Sequence, residues 1–249
     1  MPRERIDKLL VDRGLVSSRT KAQAMIMAGV VLVEDQLVNK PSESFPHNAN
    51  IRIKGADDPA RRYVGRGGLK LETALREFKI DVSGLLCLDV GASTGGFTDC
   101  LLQEGAEKVT AVDVGHHQFD WRLRNDPRVE LREGVNARYL QAADFHHQFD
   151  LITIDVSFIS LEKILPSVIP LLTKDGQIIA LIKPQFEVGK GEVGKGGIVT
   201  DPEKHQQVIE TINRAATELG LDVRDVVESP ILGAEGNREF LALYRNANC

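Results

Sequence analysis

From residue 85 to the end, the chain alternates short apolar runs with stretches whose apolar residues recur at helical spacing. The apolar runs lie at 85–91, 109–114, 129–131, 149–155 and 177–183. The amphipathic stretches between and after them include 97–103, 161–173 and 202–219. Short continuous apolar runs are typical of strands buried on both faces, and the intervening periodicity is typical of helices. The pattern predicts an α/β fold with a doubly wound, Rossmann-like sheet of mostly parallel strands.

Two further strands, predicted at 221–228 and 239–244, change the picture of one edge of that sheet. If the final strand alone runs antiparallel, it starts at the rim where the parallel strands end. Ligands bind at this rim in doubly wound sheets. A buried strand has no structural need for a lysine at its tip, which makes Lys183 a candidate functional residue. The charged residues predicted at the rim are Asp89, Asp113, Asp155, Lys183 and Glu239.

The first part of the chain has a more compact pattern. Helices are predicted at 3–13, which Gly14 ends, and from Ser17 or Ser18 to Gly29. Short strands are predicted at 30–33, 36–38 and 51–53. The domain prediction is a small α+β domain over 1–58, a basic glycine-rich linker over 59–68, and the large sheet domain over 69–249.

The stretch 86–98 carries the clearest signal for a ligand. A buried strand contains Asp89, a glycine-rich turn follows, and a helix starts near Phe97. Glycines let the backbone approach a ligand closely, and a helix N-terminus directs N–H groups towards it. The dinucleotide pattern G-x-G-x-x-G is absent from this turn, where Ser93 stands in place of its second glycine. The pattern that remains, D-x-G-x-x-x-G-G-F, is one we associate with S-adenosylmethionine. The candidate cofactor residues here are Asp89, Gly91, Ser93, Thr94, Gly95, Gly96 and Phe97.

Two other interpretations of this turn remain open. It could be a strand–helix connection that holds no ligand. Residues 91–95 also fit G-x-S-x-G, the nucleophile elbow of hydrolases, which requires an aspartate and then a histidine at later strand ends. His205 is the only histidine after residue 147 and it opens a polar helix, so the hydrolase interpretation is the weaker one.

Further cofactor contacts are expected at later strand ends. Asp113 lies 24 residues after Asp89, where a carboxylate can accept two hydrogen bonds from a ribose diol. A loop cap is the alternative role for Asp113. Val114, Asn136 and Asp155 complete the candidate set, Asn136 facing an adenine edge. Trp121 lies on a short amphipathic run and is expected in the core.

Charge narrows the class of partner. The net charge is −5, yet residues 1–70 carry 13 Lys and Arg against 8 Asp and Glu, while 71–249 carry 18 against 28. A basic N-terminal part followed by an acidic remainder suits a polyanionic partner, although small domains often carry a few net charges by chance.

Composition bears on location and metals. No stretch approaches the roughly 20 apolar residues that cross a bilayer, and the first residues lack a signal-peptide core. Three scattered cysteines suit a reducing compartment, so we expect a cytoplasmic protein. The histidine pairs at 116–117 and 146–147 lack metal-ligand spacing, so no metal is expected.

The N-terminal segment resembles the RNA-binding domain first met in ribosomal small-subunit protein four. The matching residues include Arg5-Ile6-Asp7-Lys8-Leu9-Leu10, Gly14-Leu15-Val16, Gly29-Val30-Val31 and Lys40-Pro41-Ser42. The resemblance implies phosphate contacts by Arg5, Lys8, Arg13, Arg19 and Lys21. The basic segment that follows could also track phosphates, through Arg62 and Arg66. For each cation singly, a solvated surface charge is the alternative.

The large domain resembles RNA ribose 2′-O-methyltransferases of the FtsJ/RrmJ type in its tetrad Lys70, Asp155, Lys183 and Glu239. The whole chain resembles the TlyA family, which is named for a hemolysin phenotype and described as ribosomal RNA methyltransferases. The matching motifs are 66–71, 89–97, 113–115, 155–160, 182–187 and 237–239. The resemblance implies an S-adenosylmethionine-dependent enzyme that methylates a ribose 2′-hydroxyl of ribosomal RNA, with cytidine as the expected nucleotide.

The implied reaction can be argued physically. A ribose hydroxyl is a poor nucleophile, so the enzyme must align oxygen, methyl carbon and sulfur and must also take the hydroxyl proton. A lysine can take this proton when desolvation beside another cation favours its neutral form. We expect Lys183 to be the base or to steer the oxygen, Asp155 to orient it, and Lys70 with Glu239 to complete the network.

Other classes of function remain as alternatives. The tetrad could instead form two surface salt bridges with no catalytic role. Separately, the chain could be an RNA-binding protein whose large domain has lost catalysis. The family name also suggests a membrane-lytic protein, although the sequence offers no spanning segment. A small-molecule methyltransferase is possible, but it would give the basic N-terminal part no purpose.

Overall fold

The computed structural model describes residues 3–16, 18–34, 36–53, 62–189 and 191–247. The chain divides into two compact units, residues 1–61 and 62–249. Ser17, the predicted boundary at 58 and the first linker residues, 59–61, lie outside the described residues.

The N-terminal unit combines two helices with short antiparallel strands. Its elements in chain order are β1 (Arg3–Arg5), α1 (Ile6–Asp12), α2 (Arg19–Met27), β2 (Val31–Val33), β3 (Gln36–Leu37), β4 (Ser44–Pro46) and β5 (Ile51–Ile53). Strand β2 pairs with both β3 and β5, and β1 pairs with β4. Ser18 caps α2, because its Oγ accepts a hydrogen bond from the Lys21 amide at 3.2 Å.

The core of this unit follows the helical spacing of the sequence. Ile6 and Leu10 on α1 and Ala22 and Ile26 on α2 are buried against Val31 and its strand neighbours. The prediction of a helix from residue 3 is wrong for its first three residues. They form β1 instead, because pairing with β4, which the sequence pattern did not reveal, satisfies their backbone groups.

Asp7 is a fully buried carboxylate in the first turn of α1. Arg5 and Arg19 lie 2.9 and 3.0 Å from its Oδ2, and the Gln23 amide donates to the same oxygen at 3.0 Å. These hydrogen bonds, that of Arg5 foremost, hold the pKa of Asp7 well below its usual range. The carboxylate therefore links the start of α1 to α2.

The C-terminal unit contains the large sheet. Its elements are α3 (Gly67–Phe78), β6 (Leu86–Val90), α4 (Gly96–Gln103), β7 (Lys108–Asp113), α5 (Trp121–Arg124), β8 (Val129–Glu133), β9 (Phe149–Ile154), α6 (Leu165–Val168), β10 (Leu172–Ile182), α7 (Pro184–Glu187), α8 (Pro202–Glu218), β11 (Leu221–Glu228) and β12 (Phe240–Asn246).

Seven strands lie in the order β8-β7-β6-β9-β10-β12-β11. All are parallel except β12, which is antiparallel to both of its neighbours. Helices α3 and α4 pack on one face through Leu71 and Leu101, and α6 and α8 pack on the other through Leu165 and Ile212. The predicted fold, a doubly wound, mostly parallel sheet with an antiparallel last strand, is confirmed.

Local predictions differ from the structure in three places. The predicted helix 161–173 is only the short α6 between 3-10 turns, since Pro166 and Pro170 lack the N–H groups that a long helix needs. Trp121 is 61% exposed and is not a core residue. Residues 62–66, predicted as linker, lie against the large unit: Tyr63 is buried in its core and the Val64 amide donates to Asp99 at 2.8 Å.

Within the described part of the chain, no helix combines the length and the apolar character needed to cross a membrane.

Replacing Asp7 with alanine is expected to destabilise the N-terminal unit by about 2 kcal/mol, because a buried hydrogen-bonded carboxylate is lost. Hydrogen exchange of the α1 and α2 amides measures this change. The matched control is Asp12→Asn, which alters an exposed carboxyl on the same helix.

The same carboxyl predicts a pH dependence. Since its pKa is lowered on folding, its contribution is present above the unfolded pKa near 4 and is lost as pH falls below it. This role would be contradicted if acid reduced the protection of the α1 and α2 amides from hydrogen exchange equally in the native protein and in Asp7→Ala.

Candidate active site

Strand register brings the predicted charged residues to one edge of the sheet. Ile154 of β9 pairs with Val90 of β6 and with Ala180 of β10, and Ile182 pairs with Phe240 of β12. Asp155 and Lys183 therefore follow neighbouring parallel strands. Because β12 runs antiparallel, Glu239, the residue before it, meets them at the same rim.

The tetrad forms two ion pairs. Lys183 Nζ lies 2.6 Å from Asp155 Oδ1, and Lys70 Nζ lies 2.5 Å from Glu239 Oε2. Lys183 and Lys70 are only 9% and 8% exposed, and Glu239 is 2% exposed. Ammonium groups this far removed from water require charged partners, so these are not solvated surface pairs.

Close backbone packing holds two of the carboxylates. A Cβ on Gly233 would lie 1.9 Å from Glu239 Oε1, so any side chain there would displace this carboxylate. Gly91 has φ +85°, and a Cβ there would lie 2.5 Å from the carbonyl oxygen of Asp155. The glycine of the first turn thus lets β6 and the end of β9 approach each other.

A cavity of about 460 Å³ opens beside this edge. Its volume is in the range of small-molecule sites. Of the predicted cofactor residues, it is lined by Gly91, Ser93, Asp113, Val114, Asn136 and Asp155. Apolar side chains, among them Val112, Ile159 and Ile164, complete its walls.

A smaller cavity of about 200 Å³ adjoins the first, with Gly91, Ser93, Asp155 and Ser157 common to both. Thr94, Gly96, Phe97 and Lys183 line it as well. The amine of Lys183 therefore lies at the smaller cavity, next to the larger one. A ligand in the large cavity and a second molecule in the small one would meet at the shared residues.

The Asp113 carboxylate is fixed by two backbone donors. The amide of Ser93 donates to Oδ2 at 2.7 Å, and the amide of Gly115 donates to Oδ1 at 2.6 Å. Each carboxylate oxygen retains a further lone pair. Asp113 lines the large cavity, so it can still accept hydrogen bonds from a bound ligand.

Two predicted cofactor residues lie elsewhere. Asp89 is fully buried and lines neither cavity; it accepts hydrogen bonds from Thr98 Oγ1 at 2.6 Å and Thr153 Oγ1 at 3.1 Å. Gly95 also lines neither cavity, and a Cβ there would clash with Leu123. Asp89, near the end of β6, is buried in the core, and Gly95 packs against Leu123. Both residues therefore support the glycine-rich turn and do not line a cavity.

Burial raises the pKa of Asp89 to about 7, and the hydrogen bonds from both threonines only partly oppose this shift. The carboxyl therefore changes its protonation state near neutral pH inside the packed interior.

Several lining residues were not assigned a role from the sequence. Ser157 accepts a hydrogen bond from Lys183 Nζ at 2.9 Å. Phe158 is 89% exposed at the cavity mouth, with its ring 5.0 Å from that of Phe186. Both lie within three residues of Asp155, so their position just after a strand end was the available signal.

The predicted RNA-binding residues have different surroundings. Arg5 and Arg19 pair with Asp7, Lys8 pairs with Glu4, and Arg13 donates to the carbonyls of His47 and Ala49. Arg62 pairs with Glu72. In the described ranges, the exposed side chains of Lys21 and Arg66 have no such partner. These two cations are the ones left fully available to phosphates.

The alternatives of a hydrolase and a metal site find no matching geometry in the described residues. His205 is buried and its Nε2 lies 2.7 Å from the Val199 carbonyl oxygen, and no hydrogen bond joins Ser93 to a histidine there. No group of three or more His, Cys, Asp or Glu side chains in the described ranges is placed to hold a metal ion.

The FtsJ-like methyltransferase family matches residues 63–246, and the S4 domain matches residues 4–49. The family of the sheet unit covers well over half of the chain. The chain therefore belongs to the FtsJ-like methyltransferases and carries an S4 domain at its N-terminal end.

Individual relatives are similar in sequence to this chain over nearly its whole length. The 16S/23S rRNA (cytidine-2′-O)-methyltransferase TlyA of Mycobacterium tuberculosis is 44% identical over 98% of this chain and 90% of its own. YqxC of Bacillus subtilis, named as a candidate rRNA methyltransferase, is 47% identical over 96% and 84%. A solved Streptococcus thermophilus structure with a hemolysin name is 43% identical, covers 100% and 90%, and has a TM-score of 0.75. The resemblance to the TlyA family is confirmed.

Replacing Asp89 with asparagine is expected to flatten the pH dependence of stability. Because the pKa of Asp89 is higher in the folded than in the unfolded protein, its carboxyl stabilises the fold below pH about 4. This contribution is lost as the pH rises to about 7. The neutral amide avoids that loss. We expect its melting temperature to exceed that of the native protein by roughly 3 °C or more at pH about 8.

Thermal unfolding at pH about 5 and about 8 checks this, with Asp126→Asn, at an exposed salt bridge, as the control. An Asp89→Asn protein that loses stability between these two pH values as steeply as the native protein would refute the assignment.

Proposed function

We propose that this protein transfers a methyl group from S-adenosylmethionine to a ribose 2′-hydroxyl of ribosomal RNA, with cytidine as the nucleotide, in the cytoplasm. The observation that carries the proposal is the place of Lys183. Its amine, held by Asp155, lines a small cavity that shares its wall with a cavity of cofactor size. The names of the relatives supply the substrate class.

The larger cavity suits S-adenosylmethionine chemically. Asp113 presents a carboxylate at a strand end, where a ribose diol can donate to it. Gly91 lines this cavity and brings the end of β9 against the glycine-rich turn. Asn136 offers an amide for an adenine edge, and the apolar walls suit its ring. In this arrangement Asp89 and Gly95 support the turn from below.

When bound, S-adenosylmethionine supplies an electrophilic sulfonium methyl. The chain must hold the ribose oxygen in line with that methyl and take the hydroxyl proton. Lys183 is the residue positioned for the proton, and Asp155 orients its amine. The Lys70–Glu239 pair adds a second ammonium group at the same edge, which can stabilise the developing negative charge on oxygen.

RNA binding is assigned to the S4 domain and to cations near the sheet. Lys21 and Arg66 are the primary phosphate contacts, because their charges have no acidic partner in the described residues. Arg5, Lys8, Arg13, Arg19 and Arg62 first stabilise the protein and can share phosphates through their exposed atoms. Such contacts position the RNA without reading its sequence.

Substituting Lys183 with alanine is expected to lower the rate of methyl transfer by about 10²- to 10⁴-fold, the usual contribution of a general base. The assay measures transfer from labelled S-adenosylmethionine to purified ribosomal subunits that lack the modification. Label resistant to alkaline cleavage at one nucleotide identifies a 2′-O-methyl group.

The matched control is Lys108→Ala, which removes another lysine from a 2.6 Å ion pair, at the opposite end of a strand. It should retain the native rate. Transfer that survives in Lys183→Ala would remove this residue from the mechanism. No transfer by the native protein to either subunit would favour the RNA-binding or small-molecule alternatives.

Substituting Asp113 with asparagine is expected to weaken S-adenosylmethionine binding about tenfold or more, because a charge-assisted acceptor for the ribose is lost and only one of the two loop amides keeps an oxygen partner. Isothermal titration measures the dissociation constant, and Asp126→Asn is the control. An unchanged constant would place the ribose elsewhere.

A further inference from the structure

Ser157 joins Lys183 to both cavities through a hydrogen bond. Its hydroxyl accepts a hydrogen bond from Lys183 Nζ at 2.9 Å, and the residue lines the large and the small cavity. We propose that Ser157 is a positioning residue that, together with Asp155, sets the direction of the Lys183 amine. This inference rests on the proposed methyl transfer with Lys183 as the base.

The geometry of a lysine nitrogen gives the reason. Nζ is tetrahedral, so besides its bond to carbon it has three directions for protons or a lone pair. Ser157 Oγ at 2.9 Å accepts a hydrogen bond along one of them, and Asp155 Oδ1 lies 2.6 Å away as the ion-pair partner. The neutral amine has only two N–H bonds. With one donated to Ser157 and the other attracted to the side of Asp155, its lone pair is left for the cavity that Lys183 lines.

Direction matters because the amine must face a hydroxyl at the moment of transfer. In the proposed step the ribose O–H bond breaks and its proton binds Lys183 Nζ. The oxygen electron pair forms the O–C bond, and the electrons of the broken C–S bond remain on sulfur. Without the hydrogen bond to Ser157, the amine would rotate beside Asp155, and its lone pair would face the hydroxyl for only part of the time.

The loop that carries Ser157 is held in an uncommon conformation. Phe158, the next residue, has φ +64°, a left-handed conformation that costs energy for a side chain of this size. Beyond it, the amide of Leu161 donates to Glu187 at 2.9 Å, which ties the end of the loop to α7. A fixed loop is what a positioning hydroxyl needs.

Ser157 is itself exposed at the cavity wall, so the packing of the core does not depend on it. Ser157→Ala should therefore fold normally, and Ser157→Thr, which keeps Oγ, has space for its extra methyl. Ser160→Ala is the matched control. It removes a hydroxyl from the same loop, where Ser160 Oγ accepts from the Glu162 amide and does not contact Lys183.

The experiment is methyl transfer to unmodified ribosomal subunits by the full-length protein, measured as kcat and KM. For Ser157→Ala we expect kcat to fall about 10- to 100-fold with KM and the cofactor dissociation constant nearly unchanged. A loss confined to kcat is the signature of a positioning role, because substrate binding is retained.

Ser157→Thr should restore the native kcat, and Ser160→Ala should retain it. A kcat for Ser157→Ala equal to that of Ser160→Ala would overturn the inference. So would a lower kcat that threonine does not rescue, or a loss that appears in KM and not in kcat. Each of these results leaves the proposed function intact, provided that the native protein methylates and Lys183→Ala does not. Absence of transfer by the native protein would instead refute the proposed function.

Discussion

Two lysine ammonium groups buried at one edge of the sheet place the strongest constraint on this structure. Neither Lys70 nor Lys183 is more than one-tenth exposed, so each needs a carboxylate within contact distance. Asp155 meets that need for Lys183 from the neighbouring parallel strand, and Glu239 meets it for Lys70 only because β12 runs against its neighbours. The single antiparallel strand is therefore what allows two ion pairs to share one rim.

The same constraint explains where small residues are required. Gly91 lets the first turn touch the carbonyl of Asp155, and Gly233 lets the last turn press on Glu239. Both turns flank the ion pairs, and a methyl group in either would displace a carboxylate. A larger residue at Gly91 or Gly233 would therefore disturb the ion pair of Lys183 or Lys70. The disturbance would come from packing, since no charge is changed.

Much of this was predictable from sequence, for a definite reason. Apolar runs that end in charged residues predict both the sheet and the edge where Asp155, Lys183 and Glu239 lie. The pattern could not reveal which way a side chain points at a strand end, so Asp89 was placed in the cavity although it is buried beneath it. The pattern also could not show that the loop after β9 places the hydroxyl of Ser157 within hydrogen-bond distance of Lys183.

The N-terminal unit shows why counting charges predicts a surface poorly. Its excess of Lys and Arg suggested a polyanion, yet Arg5 and Arg19 neutralise a buried aspartate and Arg13 satisfies two carbonyl groups. A cation with a fixed partner contributes less to an external field than one without. For this reason Lys21, on α2 and without such a partner in the described residues, carries more of the argument for RNA than the net charge does.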